Sequence, residues 1–212
     1  MEKRHRVFIA INFPADVKRA LEKHQKSIQE EFADLGTEGQ FREVMKWTSK
    51  DNLHITLEFL GFLTDEEIVE ACKITGEVAK KCSVFSVNLG KICYAARRQA
   101  KPTSAEVGLA CLPKMIWAVG ERSDELADLK NSLQEELHEA INYKSENRGF
   151  TPHITLGRVK EWQFKQIDPD ERPEVNQEIN LTFTVESVEV MESQLKRARP
   201  VYTVLKSCQL KD

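Results

Sequence analysis

The apolar run Val7-Phe8-Ile9-Ala10-Ile11 is short and unbroken, the pattern of a buried strand. Asn12-Phe13-Pro14 follows, with proline in the first turn of a helix, where its missing N–H costs no intrahelical bond. Val17, Leu21, Ile28, Phe32 and Leu35, with His24 on the same stripe, then recur at threes and fours, which places them on one helical face. Gly36 and Gly39 end that helix. Thr64-Asp65-Glu66-Glu67 has the form of a capping box and predicts a second helix running through Ile68, Cys72 and Val78. Alternation in Phe85-Ser86-Val87-Asn88-Leu89 predicts a strand, and Met115-Ile116-Trp117-Ala118-Val119 another. Ser123 caps a third helix whose leucine stripe is Leu126, Leu129, Leu133 and Leu137, with Ile141 beyond. Thr182 through Val190 and Val201 through Leu205 predict two last strands, and Gln166 to Gln177, rich in Asp, Glu and Pro, a solvated loop.

The two halves repeat one order: an apolar strand with a central alanine (Ala10, Ala118), a helix, a loop, then a strand carrying His-Ile-Thr-Leu. The copies are His54 to Leu57 and His153 to Leu156, a single duplication rather than a repeat array. A pseudo-twofold pair of lobes sharing a cleft is the arrangement this predicts. In a strand, residues two apart share a side, so His54 and Thr56 face one way while Ile55 and Leu57 face the other. His153 and Thr155 repeat the arrangement against Ile154 and Leu156. Each lobe thus buries an Ile and a Leu and presents an imidazole with a hydroxyl.

The chain has 212 residues, 41% apolar and 31% charged, the balance of an ordinary globular protein. A formal charge of −3 argues against a broad basic face that coats nucleic acid, while leaving recognition of one RNA end open. Five scattered cysteines without a Cys-x-x-Cys spacing read as reduced and structural. No stretch approaches the roughly 18 apolar residues of a membrane span, and the start of the chain lacks a signal-peptide core; the expected location is the cytoplasm.

A lone His-x-Thr in a strand is most often a satisfied structural pair; two copies in matching places of an internal repeat point to chemistry. Opening a cyclic phosphodiester requires a base to take a proton from water and an acid to protonate the departing oxygen. Two histidines, with a reference pKa of about 6.5, fill both roles near neutrality in opposite protonation states. The threonine hydroxyls suit the non-bridging oxygens, where charge accumulates. No metal or other cofactor is required, and His-x-Thr lacks the ligand set of hydrolytic zinc sites.

The extended segments Asn52-Leu53-His54-Ile55-Thr56-Leu57-Glu58-Phe59-Leu60-Gly61 and Phe150-Thr151-Pro152-His153-Ile154-Thr155-Leu156-Gly157-Arg158-Val159 resemble the two-histidine phosphoesterases. Arg6 to Ile11, Trp47, Ile116 to Val119, Glu192-Ser193 and Tyr202 to Leu205 extend the likeness over nearly the whole chain. Within that superfamily the chain is most similar to the RNA 2′,3′-cyclic phosphodiesterases of the LigT type, formerly called 2′-5′ RNA ligases. The resemblance implies an α+β bilobal fold of antiparallel sheets with outer helices, spanning residues 1–212 as one domain. It implies metal-independent opening of RNA 2′,3′-cyclic phosphate ends to 2′-phosphomonoesters by a monomer, with His54 as proton donor and His153 as proton acceptor. Thr56 and Thr155 contact the phosphate in this picture. The alternatives are a 2′-5′ phosphodiesterase, a 2′-5′ RNA ligase, or a non-catalytic module binding an AMP-like nucleotide.

Further candidates carry two readings each. Phe8 either stacks on a base or packs in the core. Arg148, in the loop before the second motif, and Arg158, which reaches the site only if its strand bends, are candidate anion contacts. The segment Ala95 to Leu112, with Arg97, Arg98 and Lys101, is longer than the family's usual loop and is either solvated or an RNA contact; so is Lys196-Arg197-Ala198-Arg199. His5, His24 and His138 have no threonine two residues on and read as surface or helix residues.

Overall fold

The computed structural model describes residues 3–33, 44–95, 112–141, 143, 149–196 and 199–212. Arg148, Arg97, Arg98, Lys101, Arg197 and the end of the first predicted helix lie outside them. In order along the chain the elements are β1 (His5–Asn12), α1 (Ala15–Ala33), β2 (Met45–Trp47), β3 (His54–Leu63), α2 (Asp65–Ala79), β4 (Phe85–Tyr94) and β5 (Met115–Gly120). They continue with α3 (Asp124–Ala140), β6 (His153–Val159), α4 (Glu161–Lys165), β7 (Asn176–Val185), β8 (Ser187–Lys196) and β9 (Arg199–Gln209).

The caps read from the sequence are in place. Thr64 Oγ1 accepts from Glu67 N, and Glu67 Oε2 accepts from Thr64 N, closing the capping box of α2. Ser123 Oγ accepts from Leu126 N at the start of α3. The buried stripe of α1 is Val17, Leu21, Gln25, Ile28 and Phe32, so the polar residue on it is Gln25 rather than His24.

All named strands join one antiparallel sheet in the order β7-β4-β5-β6-β3-β1-β8-β9, with β2 also paired to β6. The order is symmetric about its middle: β6 matches β3, β5 matches β1, β4 matches β8 and β7 matches β9. The duplicated unit is therefore strand, helix, motif strand, and each half of the sheet is completed by strands from elsewhere in the chain. Thr182 to Val190 is not one strand. It breaks at Glu186, and its two parts lie in opposite halves, β7 against β4 and β8 against β1. The predicted solvated loop is also partly packed, with Ile167 and Val175 buried.

The helices share one face of the sheet. Leu21, Ile28, Val78, Leu129, Leu133 and Phe164 belong to the same buried cluster as Ile55, Leu57, Ile154 and Leu156. The histidines are on the opposite face. Among the described residues no helix is long and apolar enough to cross a membrane.

Candidate active site

Strands β3 and β6 pair at a single position, Ile55 with Ile154, because β2 occupies the rest of that edge of β6, from Gly157 to Val159. Antiparallel register about this pair sets His54 across from Thr155 and Thr56 across from His153. His54 and His153 are thus diagonal neighbours in the ladder, and such neighbours have Cα atoms roughly 7–8 Å apart. Both isoleucines are fully buried while all four polar residues are partly exposed on the other face.

Each imidazole is anchored identically. His54 Nδ1 lies 2.8 Å from Asn52 O, and His153 Nδ1 lies 2.8 Å from Thr151 O. A carbonyl only accepts, so Nδ1 carries the hydrogen in both rings and Nε2 is the nitrogen left for chemistry. His54 Nε2 meets Thr56 Oγ1 at 3.0 Å. Burial lowers the pKa of both histidines below the ordinary value; the carbonyl bonds oppose this, and at His54 the charges of Lys18 and His153 add to the lowering.

The walls behind the rings differ. Phe8 lies with its ring 5.0 Å from that of His54, and Tyr202 meets His54 edge-on at 5.2 Å. On the other side Trp117 stacks on His153 at 3.9 Å. The register explains the difference. Ala10 opposes Thr56 just as Trp117 opposes Thr155, so the small Ala10 leaves room for Phe8 to lean onto His54, whereas Trp117 fills the equivalent space itself. This also corrects the repeat: Ala10 matches Trp117, and Ala118 matches Ile11, one residue from the alignment of the two alanines.

Phe8 is 3% exposed, in a small cluster with Ala10 and Met191, with Tyr202 packed against it; its ring is covered and supports His54, which is the packing reading of that residue. Arg158 is exposed, and the bend it needed exists. Gly157 opposes Ile116 while Thr155 opposes Trp117, so β6 carries an extra residue there and Arg158 comes level with Met115. Its Nη1 lies 3.3 Å from Met115 Sδ. Met115 is two residues from Trp117, so Arg158 shares the histidine face. Arg148 lies outside the described residues. His5 is no surface residue: its Nδ1 bonds Glu192 at 2.5 Å.

Two buried polar side chains span the seam between the halves. Gln25 Nε2, on α1, donates to Leu156 O at 2.7 Å and to Thr48 O at 2.8 Å, so the carbonyl of the residue displaced by the β6 bulge accepts a second bond beside that from Thr48 N at 2.9 Å. Lys130, on α3, reaches Glu58 of β3 at 3.2 Å and Gln134 at 2.9 Å. Sequence reading missed both, and the signal for Gln25 was its place on the apolar stripe of α1. Lys18, close enough for its charge to act on His54, was missed as well. Among the described residues no group of three His, Cys, Asp or Glu side chains is arranged to hold a metal ion.

The model of the 2′-5′ RNA ligase superfamily matches residues 41–197. The chain is 27% identical to an RNA 2′,3′-cyclic phosphodiesterase of Thermotoga maritima, over 96% of this chain and 95% of that protein. It is also 27% identical to a protein of that name from Methanocaldococcus jannaschii, over 95% and 98%. Among solved structures, TT0787 of Thermus thermophilus superposes with a TM-score of 0.74 at 24% identity, covering 97% of this chain and 98% of the other. E. coli LigT complexed with 3′-AMP superposes with a TM-score of 0.70 at 22% identity, covering 99% and 100%.

Proposed function

This chain belongs to the 2′-5′ RNA ligase superfamily, and from that premise we propose that it hydrolyses the 2′,3′-cyclic phosphate of an RNA end to a 2′-phosphomonoester. The observation that carries the reading is the Ile55–Ile154 register, which sets two imidazoles on one face beside two threonines, with Nδ1 of each ring bonded to a carbonyl and Nε2 of His54 against Thr56 Oγ1. The names of relatives that match this chain nearly end to end support it.

In the proposed reaction water attacks phosphorus in line with the P–O3′ bond. His153 Nε2 accepts the water proton, His54 Nε2 donates a proton to O3′ as that bond breaks, and the phosphate stays on O2′. The Nδ1 bonds to Asn52 O and Thr151 O stabilise whichever ring carries the extra proton and keep its Nε2 aimed outward. Thr56 and Thr155 donate to the non-bridging oxygens, and Arg158, on the same face, offers a cation for the phosphate or its neighbour.

The superfamily's name favours one second reading: with a 5′-hydroxyl of RNA in place of water, the same two proton transfers join strands. A substrate panel decides. RNA ending in a 2′,3′-cyclic phosphate, 2′-5′ oligoadenylate, and a cyclic-phosphate RNA mixed with a 5′-hydroxyl acceptor are incubated in parallel. Rapid opening of the first to a 2′-phosphate, in excess over the others, is expected. Tight nucleotide binding without turnover on any member would replace hydrolysis with a binding module.

A further inference from the structure

Strand β3 does not keep its alternation. Ala10 opposes Thr56 and Ile9 opposes Glu58, so one extra residue is accommodated at Leu57; Phe8 opposes Phe59 and Val7 opposes Gly61, so a second is accommodated at Leu60. In a regular strand Phe59 would share the buried face of Ile55 and Leu57. The first bulge turns it over, onto the face of His54 and Thr56, level with Phe8. After the second bulge Phe62 stands level with Arg6, again on that face. Gly61 provides the left-handed backbone of that bend, with φ of 80°.

The result is two large aromatics held out in solvent, Phe59 at 48% and Phe62 at 64% exposure, in a row leading away from the histidines along one strand. Phe59 is also anchored: its ring is 6.2 Å from that of Phe8, which lies 5.0 Å from His54, so it stands one ring beyond Phe8 from the histidine. Phe62 is flanked by cations. Arg6 is its cross-strand partner, and Arg4 Nη1 reaches Phe62 O at 3.3 Å. In the other half of the sheet the matching bulge delivers Arg158 in place of Phe59, opposite Met115 in place of Phe8. The same device therefore presents a ring beside His54 and a guanidinium beside His153.

We propose that Phe59 and Phe62 form a stacking track for the single-stranded end of the substrate RNA, with the terminal base on Phe59, the preceding base on Phe62, and Arg4 and Arg6 along its backbone. Aromatic faces interleaved with cations are what sequence-tolerant recognition of single strands uses, since every base has a π-face. The inference rests on the hydrolytic reading of the site. It also identifies which half of the sheet holds the nucleoside.

The test compares wild type with Phe59→Leu, Phe59→Trp and Phe62→Leu, each checked for an unchanged melting curve. A nucleoside 2′,3′-cyclic phosphate, a trinucleotide ending in one, and the same trinucleotide with an abasic terminal residue are the substrates. Phe59→Leu should raise KM for the base-bearing ends about 5- to 100-fold, abolish the preference over the abasic end, and be reversed by Phe59→Trp. Phe62→Leu should raise KM for the trinucleotide and not for the nucleoside. A preference for base-bearing over abasic ends that survives Phe59→Leu overturns the proposal. A binding arm uses fluorescence anisotropy of labelled trinucleotides bearing a 2′-phosphate, which need no turnover. Base-dependent binding lost in Phe59→Leu, with no hydrolysis by wild type, would sink the proposed reaction and leave the track standing; binding indifferent to the base would sink the track alone.

Discussion

Ile55 and Ile154 are the one pair through which the two motif strands meet, and they are also the two residues between histidine and threonine in the twin motifs. Their side chains are fully buried on the helix side. Because a one-residue slip in either strand would exchange its faces, burying both isoleucines fixes all four polar groups on the other side at once. The core thereby sets the geometry of the site.

The protonation of the pair should be visible in the pH dependence of rate. Burial holds both histidines below their ordinary value, and the reaction needs one neutral and one charged. The kcat/KM profile, which reports the free protein, is expected to be bell-shaped with both limbs below about pH 6.5. A bound phosphate anion favours the charged rings, so the kcat profile should lie to higher pH. Initial rates on a cyclic-phosphate end between pH 4.5 and 8.5, values chosen to bracket about 6.5, check this; a plateau without limbs contradicts it.

Stability follows with a definite sign. For a histidine whose folded pKa is lowered, the unfolded chain takes up protons first as the pH falls. Its contribution is complete above about pH 6.5 and is lost as the pH falls toward the folded value. Melting temperature should therefore decline with acidification through that window, and less steeply in a His54→Gln/His153→Gln double variant. An equal slope in both proteins would dissociate the histidines from the acid sensitivity.

Across the seam, Lys130 is 10% and Glu58 3% exposed, so removing the cation alone should be costly. Lys130→Met is expected to lose about 3–5 kcal/mol in urea unfolding. Replacing both, Glu58→Met with Lys130→Met, should recover most of that loss, since apolar packing substitutes for a buried ion pair at little cost. Equal losses in the single and double variants would mean that the desolvated carboxylate is not the cause.

Polarity is separable from presence. In a cyclic end with sulfur at the bridging 3′ position the leaving group departs as a thiolate and needs no proton. Activity of His54→Ala should be largely restored on it, and that of His153→Ala should not. Restoration in His153→Ala instead would reverse the assignment of acid and base.

Much of this was readable because local rules suffice for it. The capping box at Thr64, the leucine stripe of α3 and the alternation around His54 and His153 each depend on neighbours within a turn or a strand. What was not readable depends on partners distant in sequence. Nothing near Glu186 announces that the chain there leaves one half of the sheet for the other, since β7 and β8 each choose an edge offered by β4 and β1. Phe59 was hidden because alternation assigns it to the core, and only the cross-strand register exposes the bulge that turns it over. The same cause shifted the repeat by one residue, aligning Ala10 with Ala118 where the ladder aligns it with Trp117. Phe8 carried two readings, a platform or a packed ring, because its strand reaches the site, and the covering Tyr202 and Phe59 show that its ring packs beside His54.

The most direct test of the central claim is the single-turnover rate on an RNA 2′,3′-cyclic phosphate end for His54→Ala, His153→Ala and the double variant, each shown to be folded by its melting curve. Each single change should lower the rate about 10²- to 10⁴-fold, and the double variant should lose little more, as members of one catalytic unit do. Folded variants that retain the wild-type rate would contradict the paired acid–base mechanism.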